Sequence, residues 1–180
     1  TTEEIIIAIV RVSGALPVLR WALAGALIAI AVDFSDLFLM NLLDLGGVGN
    51  YQALDKWLDV AYMLTFLVAA LRWHGPAKTI AIALFAFRAI GFTAFELTGE
   101  RWVLVAFPNA FEFWFLLVAW LHHYRPAYTL TMRHALLWLT PAALLKEAHE
   151  LILHGWRGLD RYTAVEVVQT WWDWLTGWVG

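Results

Sequence analysis

Five apolar stretches, each near the ~20 residues that carry a helix across a bilayer, follow one another along this chain with only short turns between them. The first starts near Pro17, runs through Trp21–Val32 to Asp33 and Asp36, and is open to continuation through Leu37–Leu43. The others are Tyr51–Trp73, Ala77–Leu97, Arg101–Tyr124 and Ala127–Glu150. Gly46-Gly47-Val48-Gly49-Asn50, Gly75-Pro76, Gly99 and Arg125-Pro126 supply the turns between them. No soluble domain fits into connections of that length. Composition agrees: 62% of the 180 residues are apolar and 15% charged, against about 45–50% and 25% in ordinary soluble domains. A soluble fold this small lacks the interior to hide so much apolar surface. The expected fold class is therefore all-α: one membrane domain, 1–180, with a bundle of about five transmembrane helices over 16–154.

Both ends read as interfacial. Residues 1–15 begin with Thr1-x-x-Glu4, a capping-box spacing, and their apolar run is too short to span. Residues 155–180 form the second interfacial segment. From Tyr162 onward, Glu166, Gln169, Thr170, Asp173 and Thr176 alternate at helical period with Val165, Val168, Trp171, Trp172, Trp174, Leu175 and Trp178. That is a Trp-rich amphipathic helix suited to the headgroup level.

Several function classes are excluded by charge and chemistry. A net charge of −3 offers no basic field to nucleic acid. Without cysteine there is no disulfide, thiolate metal site or cysteine nucleophile. Ser13 and Ser35, the only serines, stand outside a nucleophile-elbow pattern, and no phosphate-binding glycine loop is present.

Five alternating spans place Arg11, Arg20, Arg72, His74, Lys78, His122, His123, Arg125 and Arg133 on one side. The positive-inside rule makes that side, and the N-terminus, cytoplasmic, with the C-terminus opposite. All carboxylates but Glu3 and Glu4 map to the other half. Each span then sends polar groups to one leaflet: Asp33 and Asp36, Asp55 and Asp59, Glu96, Asn109 and Glu112, and Lys146, Glu150 and His154. Asp55/Asp59, Lys146/Glu150 and Glu150/His154 are i,i+4 neighbours on their helices. Glu112 lies 11 residues past Arg101, ~16 Å along a helix and near the middle of a bilayer. Arg88 lies at similar depth, so an Arg88–Glu112 ion pair is expected. Pro108 and Pro141, inside spans four and five, are expected to kink them and free backbone carbonyls.

Asp33-x-x-Asp36 followed by Asp55-x-x-x-Asp59 resembles, over fewer than 30 residues, the aspartate signature of the CDP-alcohol phosphotransferases. The pattern departs from that family at Leu37, Met40, Asn41 and Tyr51, and the gap between the two halves is one residue too long.

The reading that follows is a polytopic membrane protein with an acid-rich pocket in the non-cytoplasmic leaflet, binding a cation or a polar lipid headgroup in a transporter-like manner. Asp55, Asp59, Glu96, Glu150 and His154 are the candidate ligands of a divalent cation; Asp33, Asp36, Asn109, Glu112 and Lys146 line the pocket. Membrane lipids are the expected partners, and nucleic acid is not. Two alternatives stand beside it: an accessory subunit of a larger membrane complex or homo-oligomer, and a lipid-modifying enzyme using metal or acid–base chemistry.

Overall fold

The computed structural model describes residues 1–42, 51–100, 102–150, 170, 172–174 and 176–177, with side chains for all of these except 36–42, 51–53, 104, 142, 145 and 147–150. The protein is all-helical, and no strand occurs among the described residues. The helices are α1 (Thr2–Ala15), α2 (Ala22–Leu42), α3 (Tyr51–Ala70), α4 (Gly75–Thr98), α5 (Trp102–Ala106), α6 (Ala110–Tyr124) and α7 (Met132–Glu150), with a 3-10 turn, Leu16–Leu19, between α1 and α2. The glycine turn 46–50 lies outside the described residues, as does most of the expected tail helix, of which Thr170, Trp172–Trp174, Thr176 and Gly177 are helical.

The expected capping box forms at the start of α1. The Thr1 hydroxyl accepts from the Glu4 amide at 3.3 Å, and the Glu4 carboxylate takes the Thr1 ammonium at 2.5 Å. Leu16–Leu19 then reverses the chain: Pro17 starts the turn and its carbonyl accepts from Arg20 and Trp21. The helices that follow can close because of glycine. A Cβ on Gly25 would stand 2.2 Å from the Val18 backbone nitrogen, and one on Gly14 2.8 Å from Val32. So α1 folds back along α2 and also packs against α3.

That packing gives α1 an inverted face. Glu3, Ile7, Arg11 and Ala15, spaced four apart, are buried. Ile5, Ile9, Val12 and Leu16, on the other side, are 61%, 60%, 44% and 52% exposed. A helix in water puts its charges outward and its aliphatic stripe inward; α1 does the reverse.

The core lies where α2, α3, α4 and α6 meet. Phe66, Phe111, Trp114 and Phe115 are fully buried there. Phe115 stacks on Phe66 and Trp73 at centroid separations of 4.4 and 4.8 Å, contacts worth ~0.5–1.5 kcal/mol each beyond their burial. The Trp114 indole donates to the Ala77 carbonyl at 3.1 Å, pinning α6 to the first turn of α4.

Among the described residues one helix, Gly75–Thr98, is long and apolar enough to cross a membrane, with mean hydropathy 1.8. Two of the other expected spans depart from an uninterrupted apolar helix in evident ways. α3 carries Asp55, Lys56 and Asp59 in its first half. The fourth stretch is not a kinked helix but two helices: Phe107-Pro108-Asn109 separates α5 from α6. The Pro108 ring leaves no amide to continue the ladder. Pro141, by contrast, lies inside a continuous α7.

Candidate functional site

The site is organised by Arg11. Its side chain is 3% exposed, and its guanidinium meets three carboxylates. Nη1 bonds Asp55 at 3.0 Å, Nη2 bonds Asp59 at 2.7 Å, and Nη2 also pairs with Asp33. Oxygen atoms of Asp33, Asp55 and Asp59 lie within 4.8 Å of one another, close enough to share a single cation. The cation they share is the guanidinium of α1. Its planar fork of donors suits several carboxylates at once in a way that one ammonium would not.

This corrects the placement of Arg11. Strict alternation of spans puts it on the side opposite to the carboxylates; the turn at Leu16–Leu19 carries α1 back along α2, so that Arg11 stands beside Asp33. The spacing-four set Glu3, Ile7, Arg11 and Ala15, facing away from Ile5, Ile9, Val12 and Leu16, is the signal in the sequence that marks this helix as packed.

A second group adjoins the first. Tyr62 follows Asp59 by one turn of α3, and its ring centroid lies 6.0 Å from the Arg11 guanidinium carbon. The Tyr62 hydroxyl donates to Glu112 Oε2 at 3.0 Å. Asn109, 3% exposed, donates its amide to Tyr62 Oη and to Glu112 Oε2, each at 3.3 Å. Asn109 Oδ1 is buried and accepts no hydrogen bond. A buried acceptor left in that state costs ~1–3 kcal/mol. Arg88 donates to the Phe107 carbonyl at 2.8 Å, capping the end of α5. The hydrogen bonds of Arg88 and Glu112 thus run to different partners, not to each other as the sequence led us to expect. Gly91 allows the close approach of this break to α4: a Cβ there would stand 2.2 Å from Phe107 Cβ.

Lys146, also expected in the pocket, is buried on α7, with its ammonium 5.9 Å from the Phe113 ring. Glu96 is exposed near the end of α4, apart from the group that Asp33, Asp55 and Asp59 form. The side chains of Asp36 and Glu150, and His154 altogether, lie outside the described residues. Sequence reasoning missed Arg11 and Tyr62 as members of the site.

Among the described residues, Glu3, Arg11 and Lys146 are the buried charged side chains, with Asp33, Asp55, Lys56, Asp59, Arg88 and Glu112 half-buried. Around Asp55 and Asp59, Arg11 supplies one positive charge to a group of three carboxylates.

Between α3 and α4 a cleft of about 110 Å³ opens onto this seam. Lys56, Asp59, Arg88 and Thr93 supply its polar wall; Val60, Met63, Phe85, Ala89 and Phe92 supply the apolar one. The Trp57 ring closes edge-on against Phe92 at 5.3 Å, and the Lys56 ammonium sits over the Phe95 ring at 3.4 Å.

Comparison with protein-family profiles, with curated proteins and with solved structures found no match to this chain.

Proposed function

We propose that the chain is a polytopic membrane protein that binds the phosphate-bearing headgroup of a lipid in the cleft between α3 and α4. The cleft carries this reading. Asp59 in the cleft is bonded to Arg11, and Lys56 and Arg88 are the cationic side chains of its lining. Two cations on one wall and aromatic and thioether groups on the other match a phosphate attached to an acyl chain. Outside the cleft, Leu64 on α3 and Phe87 and Ile90 on α4 are exposed apolar side chains along which a chain can lie.

The inverted face of α1 supports the membrane setting. Burying Glu3 and Arg11 while exposing four aliphatic side chains suits surroundings less polar than water. In this reading α2, α3, α4, the α5–α6 pair and α7 are the five spans, and the Trp-rich tail lies at the interface. Arg88, beside the break at Phe107, satisfies backbone that hydrocarbon could not.

The experiment is native mass spectrometry of delipidated protein titrated with phosphatidylglycerol and with an uncharged diacylglycerol. Phosphatidylglycerol adducts should form at low lipid excess and weaken about tenfold in Lys56→Ala, the loss of ~1.4 kcal/mol that one charged contact carries. Equal adducts with both lipids, or none, would remove the headgroup reading.

A further inference from the structure

We infer that a second cleft, along the first half of α7, binds the head ring of a membrane-soluble quinone, with His134 donating to a ring carbonyl. This cleft shares no lining residue with the one between α3 and α4.

The start of α7 builds it. The Thr131 hydroxyl accepts from the His134 amide at 3.3 Å, and the Thr131 carbonyl accepts from the Ala135 amide at 2.8 Å. The turn before it holds Tyr128 beside the same residues. The Tyr128 amide donates to the Arg125 carbonyl at 2.8 Å, and the Tyr128 hydroxyl lies 3.0 Å from His134 Nδ1. His134, Leu137, Trp138 and Pro141 follow at helical spacing and share one face of α7. With Tyr128 they line a cleft of about 370 Å³, inside the ~300–1,000 Å³ range of small-molecule sites.

Three properties of the lining select the occupant. It is uncharged: Arg, Lys, Asp and Glu are all missing from the lining residues described. A phosphate entering here would lose water and gain no counter-charge, in contrast to the cleft that holds Lys56 and Arg88. It is aromatic. The Tyr128 and His134 ring planes differ by 19° with centroids 6.1 Å apart, and Trp138 stands one turn beyond His134. Such walls suit a planar ring. Finally, it carries one directed donor. With the phenol proton given to Nδ1, the neutral imidazole holds its own proton on Nε2. His134 is exposed, and among the described residues Nε2 makes no hydrogen bond. A quinone ring is planar and uncharged and carries carbonyl acceptors at its edge. From His134 to Pro141 the cleft runs ~10 Å along α7. Leu137 and Leu144, 64% and 65% exposed, continue that face as a path for an apolar tail. Only binding is assigned, with no change in the redox state of the quinone.

Native mass spectrometry of the delipidated full chain, titrated with ubiquinone-2 and with geraniol, tests this. Geraniol has the isoprenoid tail without the ring. Ubiquinone-2 should form saturable one-to-one adducts, and geraniol should not. His134→Leu should weaken ubiquinone-2 binding about tenfold, the upper end for one neutral hydrogen bond. His134→Gln, which keeps an amide donor, should retain most of the affinity. Tyr128→Phe should cost roughly threefold, because the proton is no longer fixed on Nε2. Both residues are exposed, so these variants leave the core intact. Equal adducts with ubiquinone-2 and geraniol would mean apolar adsorption and would overturn the site. So would an unchanged ubiquinone-2 affinity in His134→Leu. Lys56→Ala should leave the quinone adducts as they are, and His134→Leu should leave the phosphatidylglycerol adducts as they are, so either reading can fail without the other.

Discussion

Arg11 gathers charges from two other helices, and removing it should be costly. Arg11→Met leaves Asp33, Asp55 and Asp59 facing one another with their shared guanidinium gone. Breaking a buried charge group in this way costs ~3–5 kcal/mol; here the partly exposed carboxylates put the expected loss at about 3 kcal/mol. Arg20→Met, at an exposed position, should change stability by no more than ~0.5 kcal/mol. Chemical denaturation in detergent compares the two. If the variants melt alike, Arg11 is not the keystone of the cluster. A parallel contrast separates Glu112 from Glu100. Glu112 accepts from Tyr62 and Asn109, whereas Glu100 is exposed. Glu112→Gln should therefore lower Tm while Glu100→Gln leaves it unchanged. At this scale the sequence was partly legible. Asp33, Asp55 and Asp59 stood out because a carboxylate in an apolar stretch is expensive, so their meeting could be foreseen. Their partner could not, because Arg11 has an ordinary place near the N-terminus until the reversal at Leu16–Leu19 is known.

Elements were legible in their positions and less so in their continuity. Turn residues located the ends of α4 well: Gly99 caps it at φ 68°, a left-handed conformation that glycine adopts without a Cβ penalty. Pro108 and Pro141 looked alike as breakers, yet only the first divides a helix. The difference lies in what surrounds them. At Pro108, Arg88 takes the Phe107 carbonyl at the helix end and Gly91 admits the Phe107 side chain against α4. Neither residue is near Pro108 in sequence. This yields an element-level prediction. Gly91→Ala should push Phe107 away, loosen the Arg88 bond and destabilise the protein by ~1–3 kcal/mol, the usual cost of overpacking. Gly177→Ala, where a Cβ meets nothing within 4 Å, should change little. Equal unfolding midpoints for the two would mean that the α4–α5 contact yields without cost.

For the molecule as a whole, composition was the strongest guide to an all-helical chain, since 62% apolar residues with 15% charged leave few alternatives. Side-by-side packing was not legible, because a hydrophobic stretch does not reveal which neighbour it meets. The five-span reading makes a clean topological prediction in a chain with no native cysteine. In intact cells an impermeant thiol reagent should label Glu100→Cys and spare Arg125→Cys. Labelling of the latter alone would invert the topology. One consequence concerns the order in which such a protein is made. Arg11 bonds Asp55 and Asp59, 44 and 48 residues later in the chain. At ~5–20 residues per second, a ribosome takes about 2–10 s to supply them. During that interval the guanidinium lacks both carboxylates of α3, so in the proposed membrane setting α1 would wait at the membrane surface or within the insertion machinery. The first of the described helices to be synthesised would then be among the last to be seated, once α3 brings Asp55 and Asp59 to it.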